Sequence, residues 1–188
     1  MLSSPWFEQV IDGIKTDAYL YWVPEIGVIS VYDDNLYDRS DSDMLSPGMR
    51  RHVAQFLKQF GCHQKRGTCI AAPDALGQFW LSKPSVALAA SPYDATRYLP
   101  RKQDDIYVLT PTQASAYLLD HMPLQAAVAV IEALGQQQPM NVGKLEDYMP
   151  EHFDKPVYRG ALNYLHTQQK AVSVQPRMKF KRALGNFS

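Results

Sequence analysis

Apolar side chains recur at helical spacing near the start of the chain. Trp6, Phe7, Val10, Ile11 and Ile14 fall on one side of residues 4–14 and predict a short helix. Residues 18–23 and 28–32 are then rich in β-branched and aromatic side chains. They predict a hairpin turning at Pro24-Glu25-Ile26-Gly27. A second helix is predicted from Ser46 as N-cap and Pro47 at the first helical position, with Met49, Val53, Phe56, Leu57 and Phe60 on one face and Gly61 at its end. Three short strands are expected at 68–72, 78–82 and 86–90, punctuated by Pro73, Gly77 and Pro84, and a last one at 105–109.

The pattern changes after residue 109. Thr110-Pro111-Thr112-Gln113 has the form of a capping box and predicts a helix through Leu119. Pro123 opens another, with Leu124, Ala127, Val128, Ile131 and Leu134 inward and Gly135 at its end. Residues 142–148 form a third helix. A fourth runs from Lys155 to about Gln169 behind an Asp154 cap, and strands at 171–175 and 178–181 flank Pro176-Arg177. The expected fold class is therefore α+β, with a mixed domain over 1–109 and a mostly helical domain over 110–188.

Composition places few limits on this picture. Hydrophobic residues make up 46% of the 188, enough for a real core. No apolar run is long enough to span a bilayer, and the N-terminus lacks the basic and apolar regions of a signal peptide. The expectation is a cytoplasmic protein with no membrane partner, in which Cys62 and Cys69 remain free thiols.

Charge is more informative. The last 34 residues, 155–188, carry seven Lys or Arg and no Asp or Glu, while the rest carries 12 basic and 19 acidic residues. The formal net charge of zero hides this asymmetry. A patterned, one-signed basic element on an acidic chain is what contact with a polyanion requires.

The order helix, helix, helix and two-stranded ribbon over residues 123–182 resembles a winged-helix DNA-binding domain, in element order and charge. The resemblance implies that helix 155–169 enters the major groove and that 170–182 forms a wing on the backbone. On a helical wheel Val157, Ala161, Tyr164, Leu165 and Gln168 share the packing face, and Arg159, Asn163 and His166 fall opposite. Arg suits guanine and Asn suits adenine, so these three are the expected base contacts. Lys155, Lys170, Arg177, Lys179, Lys181 and Arg182 suit phosphate. The link 149–154 is longer than a tight helix-turn-helix turn.

The leading function is thus sequence-specific binding of double-stranded DNA by a transcriptional regulator, paired as a homodimer because one short helix gives little specificity alone. The N-terminal domain would serve dimerisation, ligand sensing or docking of a protein partner. Two other readings stand beside it: a winged-helix adaptor binding another protein in a mobile-element, replication or defence system, and a nucleic-acid-processing enzyme with its chemistry in the N-terminal domain. No catalytic residue, cofactor or metal is assigned. Cys62, His63 and Cys69 are an incomplete zinc set. Asp33, Asp34, Asp38, Asp41 and Asp43 lack the spacing of a calcium loop and read as a solvated segment.

Overall fold

The computed structural model describes residues 4–32, 45–81 and 104–138, together with Met140, Leu145, Pro156 and Gly160. Four α-helices, a short 3-10 helix at Pro73–Ala75 and six strands have their bounds among them. Helix α1 spans Pro5–Thr16. The Ser4 hydroxyl accepts from the Phe7 amide at 3.2 Å, and Phe7, Val10 and Ile14 are buried on one face. Helix α2, Pro47–Lys58, starts in the same way, with the Ser46 hydroxyl on the Met49 amide at 3.2 Å. Helix α3, Pro111–His121, carries the capping box in full: the Gln113 amide donates to Thr110 Oγ1 at 3.1 Å, and the Thr110 amide donates to Gln113 Oε1 at 3.2 Å. Helix α4, Leu124–Gln137, runs two residues beyond Gly135. It stops at Gln138, whose buried side chain is taken by the sheet. Gln138 Nε2 donates to the Tyr19 carbonyl at 2.8 Å, and the Ser30 hydroxyl donates to Gln138 Oε1.

The strands are β1 (Leu20–Val23), β2 (Val28–Val31), β3 (His63–Arg66), β4 (Cys69–Ala71), β5 (Gln78–Leu81) and β6 (Asp105–Leu109). They form one mixed sheet in the order β1-β2-β6-β5-β4-β3. β1 and β2 make the predicted hairpin, with Gly27 at φ 62 in the turn, where a left-handed backbone favours glycine. β2, β6 and β5 are parallel neighbours, and β4 and β3 continue antiparallel from β5. Strand β3 escapes the apolar pattern because His63, Gln64, Lys65 and Arg66 are all exposed. Its pairing with β4 makes it a strand.

Alternation along the strands produces two cores. Leu20, Ile29, Val31, Phe79, Leu81, Ile106 and Val108 face α1 and α2. Val23, Val28, Tyr107 and Leu109 face α3 and α4, where Leu118, Ile131 and Leu134 are fully buried. With both faces covered, every residue of β2 and β6 is buried, Ser30 and Asp105 included, and neither strand alternates apolar with exposed polar positions. The protein is an α+β molecule with helices on both faces of a mixed sheet. The division expected at 109/110 falls between β6 and α3, which pack against each other. Met140 and Leu145 are buried in the same core as α3 and α4. The expected strand at 86–90, the acidic segment 33–43, the expected helix over 142–148 apart from Leu145, and the expected ribbon over 170–182 lie outside the described residues.

Candidate nucleic-acid interface

Basic side chains are concentrated on α2 and β3, those of α2 on its outer side and those of His63 and Arg66, paired with Ala71 and Cys69, on the sheet face away from α2. From Leu45 to Pro73 the chain carries Arg50, Arg51, Lys58, Lys65, Arg66, His52 and His63, and no Asp or Glu. Burial of Val53, Phe56 and Leu57 leaves Arg51, Gln55 and Lys58 exposed along the outer side of α2 at i, i+4 and i+7. Gly61, at φ +82, then turns the chain, and the Cys62 amide donates to the Leu57 carbonyl at 3.2 Å. The next four residues are β3, the sheet edge, lying beside α2. A groove of about 340 Å³ separates the two, with Ala54, Cys62 and Ile70 in its floor and Lys58, His63 and Gln64 on its rim.

Hydrogen-bond phase shows what this edge presents. The Ala72 amide bonds Gly77, and the Leu81 amide bonds Thr68, so alternate residues Thr68, Ile70 and Ala72 face β5. Cys69 and Ala71 therefore face β3, and their partners Arg66 and His63 turn their backbone inward. The outward backbone is that of Gln64, and a register irregularity between Gln64 and Arg66 interrupts the ladder there. A short, bulged and cationic edge resists pairing with another strand. Its side chains remain in solvent, where they suit a polyanion.

The surface is held in place from the other end of α2. His52 Nε2 lies 2.9 Å from the Asp17 carboxylate at the end of α1, and the Tyr19 amide donates to the same carboxylate at 2.8 Å. The Tyr19 ring meets the imidazole edge-on at 4.9 Å. Burial of Asp17 opposes its charge. The hydrogen bonds from His52 and Tyr19, with the His52 charge, outweigh that burial and hold its pKa below the ordinary value. A depressed folded-state pKa contributes stability above the unfolded value, and that stability is lost as pH falls through the folded value. Asp17→Asn should therefore cost about 1–3 kcal/mol near neutral pH. The cost should shrink as pH falls below the ordinary Asp range, as read by urea unfolding at several pH values. A cost independent of pH would remove the carboxylate charge from this role.

The residues predicted from the sequence lie elsewhere. Arg159, Asn163, His166, Lys155, Lys170, Arg177, Lys179, Lys181 and Arg182 are all outside the described residues. Of residues 155–169, Pro156 and Gly160 are described. Both are helical and exposed, and a methyl group added at Gly160 would meet open space. The α2–β3 surface was not anticipated, although its signal, a long stretch without an acid, is the same one that marks 155–188.

Cys62 and Cys69 are free and buried. Burial pushes the Cys62 thiol up to about 12, so it stays protonated and is a poor nucleophile or metal ligand. Among the described residues no group of His, Cys, Asp and Glu is arranged to hold a metal ion, and no helix is long and apolar enough to cross a membrane. In comparisons with protein-family models, curated proteins and solved structures, the chain matches none. The class rests on the molecule itself: a layered α+β protein whose stretch from Leu45 to Pro73 carries basic residues and no carboxylate.

Proposed function

We propose that the protein binds double-stranded DNA, with residues 155–188 as the reading element and the α2–β3 surface as a second backbone contact. The supporting observation is the segregation of charge. Two stretches, 45–73 and 155–188, hold five and seven Lys or Arg and no carboxylate, and all 19 acidic residues lie outside them. Separation of this kind lowers the repulsion a polyanion meets at the basic face and steers its approach. In this reading 123–182 is a winged-helix domain, helix 155–169 contacts bases through Arg159, Asn163 and His166, and the remaining cations of 155–182 contact phosphate. The protein acts as a cytoplasmic transcriptional regulator, and two copies pair on a two-fold site.

Anisotropy of a labelled random-sequence duplex, titrated with the full chain at rising salt, tests the core of this. Affinity should fall steeply with salt, because each neutralised phosphate releases counterions. Salt-independent binding, or none at low salt, would overturn it. Once a preferred site has been selected from random duplexes, Arg159→Ala and Asn163→Ala should each lose about 1–3 kcal/mol of discrimination with little change on random DNA. Equal loss on both would make these residues phosphate contacts.

A further inference from the structure

The two edges of the sheet differ. β3 is exposed, cationic and irregular in register, which keeps other strands away. β1, at the opposite end of the strand order, pairs with β2 in regular register through Leu20, Tyr21, Trp22 and Val23, and carries no charge. Hydrogen-bond phase shows what it leaves open. The Tyr32 amide bonds the opposite carbonyl of Tyr19, so Tyr21 and Val23, at alternate positions, also turn their backbone to β2. Leu20 and Trp22 turn theirs outward, and among the described residues no strand pairs with that side.

Two neighbours shorten the open stretch. The Leu20 amide is already given to the Asp17 carboxylate. Pro24, the next position in that alternation, has no amide, and its carbonyl accepts from Gly27 at 3.3 Å. The outward donor that remains is the Trp22 amide, with the carbonyls of Leu20 and Trp22 as acceptors. An added peptide strand draws on alternate amides along its length, which this edge does not supply. A two-fold contact needs only one donor and one acceptor from each copy.

Beside this edge, α1 and β1 enclose a groove of about 500 Å³. Ile11, Trp22 and Pro24 line it, and Phe7 braces the Trp22 ring edge-on at 5.2 Å. Its rim is charged. Glu8 in the first turn of α1 and Lys15 in the last border the same groove, at i and i+7. Lys15 meets Asp12 at 2.8 Å, but the pair is 68% and 72% exposed, so water screens it and the lysine exchanges partners readily. An apolar centre holding a tryptophan, with charge confined to the rim, is the make-up of a protein interface. This rim is complementary to itself, with Glu8 at one end of α1 and Lys15 at the other.

We propose that β1 and α1 form the contact between two copies of this chain. A two-fold axis perpendicular to the sheet sets β1 antiparallel to its counterpart, and each Trp22 amide donates to an outward carbonyl of the other copy. The two sheets become one. The two α1 helices lie antiparallel on the same side, with Ile11 and Trp22 of both copies in the middle and Glu8 of each towards Lys15 of the other. This names the surface for the pairing proposed above and rests on that reading for the number of copies.

Analytical ultracentrifugation of the full chain at micromolar concentration, without DNA, tests this and should show a dimer. Glu8→Lys alone and Lys15→Glu alone each set like charges together on both sides of the axis. Each should raise the dimer dissociation constant about tenfold. The double variant restores opposite charges and should return to near the parent value. All three variants oppose the α1 dipole, the double most of all, so recovery in the double variant is not an effect of helix stability. Hydrogen exchange gives a second readout. The Trp22 amide should be protected in the dimer and exchange freely on dilution to monomer, while the Tyr21 amide, bonded to β2, stays protected in both. A monomer at these concentrations overturns the proposal together with the two-copy reading. A dimer in which the double variant is no better than the singles, or whose Trp22 amide exchanges as fast as in the monomer, overturns the surface and leaves the pairing. No readout involves DNA, so the salt dependence of DNA binding stands or falls separately.

Discussion

A chain cut after residue 109 should lose its cooperative thermal transition. Residues 1–109 contain every strand of the described sheet, yet one face of that sheet is apolar only because α3 and α4 cover it. Val23, Val28, Tyr107 and Leu109 would all be exposed by the cut, each at 2% or less in the intact protein. Returning a large apolar side chain to water costs about 1.5–3 kcal/mol, and domains are stable by only about 5–15 kcal/mol. The loss consumes the whole margin before the partners on the helices are counted. Circular dichroism melts of the truncated and full-length chains decide the matter, with dye binding as a report of exposed apolar surface. A sharp melt of 1–109 near the full-length temperature would show that the sheet and α1–α2 suffice. Leu118→Ala in the full chain is the milder version. Leu118 is fully buried between α3 and the sheet, and the cavity it leaves should cost about 2–5 kcal/mol.

The triple variant Arg51→Gln, Lys58→Gln and Arg66→Gln should reduce affinity for random duplex DNA about a hundredfold at physiological salt, and flatten the slope of log affinity against log salt by about 2.7. All three side chains are exposed, Arg51 and Lys58 on the outer side of α2 and Arg66 at the end of the β3 edge strand. Exposed substitutions usually change stability by no more than about 0.5 kcal/mol, so the melting temperature should stay near that of the parent. A variant with the parent slope would confine phosphate contact to residues 155–188. A variant that loses binding and also melts early would report a disturbed α2, and single substitutions would then carry the test.

Local chemistry was legible from the sequence where it acts alone. Ser4, Ser46 and Thr110 were readable as caps because a hydroxyl two or three residues before an apolar stripe satisfies free amides without outside help. The β1–β2 hairpin was readable from its β formers and its turn, and the inward stripes of α1, α2 and α4 from their spacing. One local signal failed. Gly135 did not end α4, because the side chain of Gln138 is anchored to Tyr19 and Ser30 from more than a hundred residues away.

The sequence by itself determined where helices begin, which of their faces are apolar, and that positive charge is segregated along the chain. Only the tertiary structure decided that β6 inserts between β2 and β5, because parallel pairing is set by packing on both faces rather than by any neighbouring turn. It also decided that four polar residues, His63 to Arg66, form an edge strand, since their backbone finds partners only once β4 is in place. Register then did what no linear pattern records. It set His63, Ala71, Gln78 and Asp105 in one row from four different strands.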